Sequence, residues 1–190
     1  MKIYLLFALL IFTNASLAQT VRLKNSIQFG VDYMSLDAPD DLGLRPTVRY
    51  ARHVANDRIV LASTVGYMKV ENRNDYIDRI LRPRERTTFD LTIFFDLIKS
   101  PLFAARIGGG PSLWHRRDQN VTSVIWGFNP SAPPLVFIET IDELNVGHHF
   151  TGELEFSLFR QLAVNARFSL ANLGRAGQSS VAGVGLGYKF

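Results

Sequence analysis

The chain has 190 residues, enough for one domain and short for two, with 47% hydrophobic residues, no cysteine and a formal charge of +4. Without cysteine there is no disulfide, no thiolate nucleophile and no zinc–thiolate site. With 21 basic against 17 acidic side chains, the charge is too balanced for a nucleic-acid partner.

The first eighteen residues read as an export signal rather than as part of the fold. Lys2 gives a positive start, Ile3 to Phe12 an unbroken apolar run of ten, and Ser16-Leu17-Ala18 small residues at the positions a signal peptidase reads. Ten residues rising about 1.5 Å each make roughly 15 Å of helix, half of a hydrocarbon core, which disfavours a membrane anchor. Cleavage is expected between Ala18 and Gln19, leaving 19–190 as one domain, and no cysteine follows to carry a lipid. Nothing in that domain approaches the apolar length of a spanning helix.

The apolar residues are instead distributed in alternation, the mark of a strand with one apolar and one polar face. In chain order, the apolar sets are Ile27, Phe29, Val31, Tyr33; Leu44, Pro46, Val48, Tyr50; Ile59, Leu61, Val65, Tyr67; and Phe89, Leu91, Ile93, Phe95, Leu97. They continue as Phe103, Ala105, Ile107, Leu113; Phe150, Leu154, Phe156, Leu158; Leu162, Val164, Ala166, Phe168, Leu170; and Ala182, Val184, Leu186, Tyr188, Phe190. Each segment is close to the nine to eleven residues that a tilted strand needs to cross a bilayer. Short connections at 53–57, 98–101 and 159–161 alternate with longer polar ones at 35–42, 70–86, 115–144 and 171–179. Tight periplasmic turns and long extracellular loops are the habit of an outer-membrane barrel.

The polar faces decide between membrane and water. They carry Asp32, Arg45, Arg49, Asp90, Arg106, Glu153, Glu155 and Arg167, four acids and four bases, with glycines such as Gly30, Gly66, Gly108 and Gly183 between them. Such charges pair inside a narrow barrel, whereas facing lipid each would cost about 2–4 kcal/mol at the midplane. The expected fold is all-β: an up-and-down antiparallel transmembrane β-barrel of eight strands, placed in the bacterial outer membrane. Ten strands are the alternative, if Val121 to Phe128 and Leu135 to Ile141 also cross.

The ending Val184-Gly-Leu-Gly-Tyr188-Lys-Phe190, with Val184, Leu186, Tyr188 and Phe190 on one face, resembles the C-terminal signal of outer-membrane proteins. The strands Arg106-Ile-Gly-Gly-Gly-Pro111 and Thr151-Gly-Glu-Leu-Glu-Phe156 resemble the broad outer-membrane β-barrel family of OmpA-transmembrane, OmpX and PorT type, over essentially all of 19–190. The resemblance implies recognition of the terminal row by the barrel assembly machinery. It transfers no catalytic or cofactor residue.

Four functional readings follow. The leading one is a structural or interaction protein with a plugged polar interior and four extracellular loops, with the segment 115–144 offered to a protein partner. A second is lipopolysaccharide contact, for which Arg79, Arg82, Arg84, Arg86, Arg116 and Arg117 supply guanidinium groups suited to phosphate. A third is a lipid A-modifying hydrolase built on His149 with Glu153 or Glu155. The His-x-Ser-Asn run of the lipid A deacylases is missing, because Ala171 stands where serine would precede Asn172. A narrow channel is the last, disfavoured because side chains fill small barrels. No metal, nucleotide or redox cofactor is expected.

Overall fold

The structure, a computed structural model, describes residues 23–35, 42–54, 58–70, 83–125, 134–174 and 177–190. Eight strands form one closed antiparallel ring in chain order: β1 (Asn25–Ser35), β2 (Leu42–Val54), β3 (Ile59–Val70), β4 (Arg84–Lys99), β5 (Phe103–Ile125), β6 (Leu135–Ser157), β7 (Leu162–Asn172) and β8 (Gln178–Lys189). The ring closes between first and last strands, where Asn25 and Phe190 exchange backbone hydrogen bonds of 3.0 and 2.8 Å.

The pairing register sets the barrel's shape. From Phe29, partners run through Val48, Val65, Phe89 and Leu113 to Val146 on β6. The opposite route runs through Leu186 and Val164 to Phe156, on the same strand but ten residues away. An offset of ten residues at about 3.3 Å, over eight spacings of about 4.8 Å, tilts the strands by roughly 40°. The resulting barrel has a radius of about 8 Å, too narrow to leave a wide channel between inward side chains.

Alternation then sorts the side chains. Phe29, Leu44, Val65, Phe95, Phe150, Leu170 and Val184 stand exposed on the outside, whereas Asp32, Arg45, Arg49, Arg106, Glu153 and Glu155 are buried within. Strand parity and the pleat account for this without any long-range information.

Two expectations are corrected. Residues 115–125 and 135–144 are not loop: they are the upper ends of β5 and β6, each 23 residues long. Because each is continuous with a strand already in the ring, the barrel closes with the eight strands expected and not with the alternative ten. Arg84 to Arg86 likewise belong to β4, paired with Val70 to Met68. The export segment, residues 126–133 and most of the loop 70–86 lie outside the described residues.

Candidate functional site

The lumen holds the densest chemistry. Arg106 on β5 is the hub of the turn-side half: its Nε donates to Asp96 at 2.8 Å, and its Nη1 to Glu153 and Glu155 at 2.8 and 2.9 Å. The other oxygen of Glu153 takes Nη1 of Arg49, whose guanidinium lies 4.8 Å from the Phe94 ring centre. Glu155 also receives Lys189 Nζ at 2.6 Å.

Nearer the loops, Asp32 accepts from Arg45 Nη2 at 2.7 Å and from Arg167 Nη2 at 2.8 Å. Arg45 reaches on to Asp90 at 3.4 Å, and Asp90 also accepts the indole N–H of Trp114 at 3.1 Å. The eight charges expected inside thus fall into two groups, Arg49, Arg106, Glu153, Glu155 and Asp32, Arg45, Asp90, Arg167. Asp96 and Lys189 complete a set of five cations and five anions. Balanced charge is what allows ions to be enclosed, since each one unpaired costs several kcal/mol.

Apolar clusters bracket these ions. Met34, Met68, Trp114, Ala171, Leu173 and Val181 pack together at the loop end, and Ala51, Val60, Ala62 and Phe94 pack near the turn end. Between them remains a cavity of about 30 Å³, lined by Arg45, Arg49, Asp90, His149 and Arg167 among others, with room for about one water molecule. The clusters lie on the faces of the lumen, and parity alone locates them: Met34 continues the row of Gln28 and Asp32, and Trp114 that of Gly108 and Ser112.

The histidine–carboxylate pair of the hydrolase reading is not assembled. His149 is buried, with Nδ1 2.8 Å from Ser112 Oγ and Nε2 2.9 Å from Thr92 Oγ1. Glu153 and Glu155 are committed to arginines, and His148 points outward. Ala171 is buried in the apolar cluster, and the Asn172 side chain accepts the Gly174 N–H at 3.1 Å.

At the loop end, β5 loses β4 after the pair Arg117–Glu85, and β6 meets β7 only from His148–Asn172. Among the described residues, 118–125 and 135–147 therefore pair with no further strand and form a two-stranded ribbon, with a register shift between Val121 and Ser123. His115 and Arg117 bind Asp142 at 2.7 and 3.1 Å, and Arg116 binds Asp118 at 2.6 Å. The tip exposes Ile125, Leu135, Phe137 and Ile138.

The expected lipopolysaccharide arginines divide. Arg86 corrects the expectation: it turns inward and is buried, with Nη2 2.8 Å from Asp118 Oδ2, because its parity matches Thr88 and Asp90. Arg116 is half-buried between Asp118 and Glu143. Arg117 is exposed, Arg84 partly so, and Arg79 and Arg82 lie outside the described residues. Burial alone would raise the Asp118 carboxyl, but hydrogen bonds and charge from Arg86 and Arg116 outweigh it and hold it below the usual aspartate range. Asp142 is also lowered, by its hydrogen bonds with His115 and Arg117. The terminal row Val184, Leu186, Tyr188 and Phe190 is exposed on the outer face.

No family model matches the chain, and no curated protein matches it significantly. Solved structures do. Neisserial surface protein A superposes with a TM-score of 0.61 at 10% identity, over 87% of this chain and 96% of that one. A major outer membrane protein from Thermus thermophilus gives 0.60 at 11%, over 88% and 98%. Ail, the attachment invasion locus protein of Yersinia pestis, in complex with the heparin analogue sucrose octasulfate, gives 0.57 at 10%, over 88% and 97%. At such identities the common property is the architecture, and this chain has the fold of the small eight-stranded outer-membrane β-barrels.

Proposed function

We infer that the chain is exported, resides in the bacterial outer membrane, and serves there as a structural and interaction protein whose lumen is closed to solutes. One observation carries this reading: a continuous outer belt of exposed Phe, Leu, Ile and Val encircles enclosed ion pairs. Proteins in water rarely leave an apolar patch of more than a few hundred Å² uncovered, and this belt surrounds the whole barrel. The two apolar clusters and the water-sized cavity support a plugged interior without a conducting path.

In this reading the cleaved segment is 1–18, and the row Val184, Leu186, Tyr188, Phe190 is the mark read by the barrel assembly machinery. Four connections face the outside, and the β5–β6 ribbon is the surface offered to a protein partner, since among the described residues it rises beyond the ladders with β4 and β7. Arg117, with Arg79 and Arg82, is the proposed lipopolysaccharide contact, whereas Arg84 shares the inward parity of Arg86. The heparin analogue on Ail makes a sulfated glycan a reasonable probe of this basic rim.

Membrane fractionation combined with a heat-modifiable gel shift tests location and closure together. The chain is expected in the outer-membrane fraction, with a faster-migrating folded band before boiling. A mature chain that stays monomeric and soluble without detergent overturns the reading. Planar bilayers are expected to show no large stable conductance, and lipid A incubated with the protein no loss of acyl chains by mass spectrometry.

A further inference from the structure

One seam of the barrel is incomplete. The β2–β3 ladder runs from Val54–Ile59 to Thr47–Gly66 and stops. Yet β2 continues to Leu42 against β1, and β3 continues to Val70 against β4. Pro46 stands at the stop. The His53 N–H donates to the Lys24 carbonyl beyond β1, so the odd residues of β2 turn their backbone groups to β1 and the even ones to β3. Pro46 is even, and it brings no donor to the position facing Tyr67.

Over this seam the outer surface is hollowed. A groove of about 380 Å³ is walled by Phe29, Pro46, Val48, Val65, Tyr67 and Thr87, with the backbone of Gly30, Thr47 and Gly66 as its floor. Its walls belong to the lipid-facing belt, on the loop side of β2 and β3. Lys69 stands exposed on the same face of β3, two residues past Tyr67 and opposite Glu85, whose carboxylate is engaged by Tyr67 and lies 3.9 Å from Arg117.

The geometry points to a specific lipid site: one acyl chain of a phosphate-bearing lipid lies in the groove, and its headgroup phosphate pairs with Lys69. The occupant follows from position, because the belt around the groove meets hydrocarbon and the rim above it carries a cation. A shallow, almost wholly apolar trough fits a chain better than a polar solute. The stop at Pro46 therefore leaves a binding surface where an unbroken strand pair would be flush. This proposal rests on the membrane reading above.

Native mass spectrometry of the full-length mature chain, released from nanodiscs of equal parts phosphatidylcholine and phosphatidylglycerol, tests it. The protein is expected to retain one phosphatidylglycerol in preference to phosphatidylcholine. Val65→Trp, which fills the trough, is expected to reduce retention several-fold, and Leu170→Trp, elsewhere on the belt, to leave it unchanged. Lys69→Gln is expected to keep a lipid but lose the headgroup preference. Equal retention by wild type and Val65→Trp, or none by a wild type with a folded gel band, overturns the lipid site. An unshifted preference in Lys69→Gln overturns the headgroup pairing. A wild type that neither enters nanodiscs nor shows a heat-modifiable band sinks the membrane reading instead.

Discussion

The molecule places the same chemistry in two solvents. Inside the wall, Arg49 and Arg106 share Glu153 and are buried with it. On the ribbon, Arg117 and His115 share Asp142, all of them well exposed. Both arrangements are one carboxylate between two nitrogen donors, but desolvation makes the first expensive to disturb and water makes the second nearly free to lose. Ion pairs therefore fasten the barrel while only decorating the ribbon, and Asp118, enclosed by Arg86 and Arg116 at the ribbon's base, is the intermediate case.

Substitutions break this comparison in graded steps. Glu153→Ala takes the carboxylate from the enclosed Arg49, while Arg106 keeps Asp96 and Glu155, and is expected to cost about 3–5 kcal/mol, read by urea unfolding in lipid vesicles. Adding Arg49→Met is expected to restore part of that loss, and if the double variant is as unstable as the sum of its parts, the pair is not coupled. Asp118→Asn is expected to weaken the ribbon's attachment by about 1–3 kcal/mol, seen as faster proteolysis within 118–147 while the folded gel band persists.

Acid sharpens the same point. The Asp118 carboxyl is lowered in the folded state, so its contribution is complete above the ordinary aspartate value and is lost as pH falls through the folded value. Ribbon proteolysis is expected to stay flat from neutral pH to about 5 and to quicken below about 4, and in Asp118→Asn to lose that dependence. Asp142→Asn, the smallest change, is expected to leave unfolding unmoved, because its lowered carboxyl is fully exposed.

Much of the barrel was legible from alternation, because an apolar outer face and a crowded, charged lumen impose opposite demands on successive residues. Where that contrast fades, legibility fades too. Beyond Asp118, residues 119–125 and 135–144 are partly or fully exposed on both faces, and nothing forces a period of two upon them. Asp96 and Lys189 lie near strand ends, outside the mid-strand window in which charge is conspicuous. Arg86 was read as a rim cation although its parity with Thr88 and Asp90 turns it inward. The stop at Pro46 is of another kind: parity counts proline as one more apolar residue, and only its missing N–H, set against the direction of β2's hydrogen bonds, reveals the broken ladder.

The clasp between Asn25 and Phe190 has a kinetic consequence. β1 emerges first from any directional synthesis or export, yet its second neighbour is the last strand of the chain, so one of its rims must wait unsatisfied for everything in between. Such distant pairing is slow, and a strand held open meanwhile invites adhesion to other copies. Removing β8 altogether would leave the cylinder as a strip with two raw borders, a state better suited to clumping than to insertion.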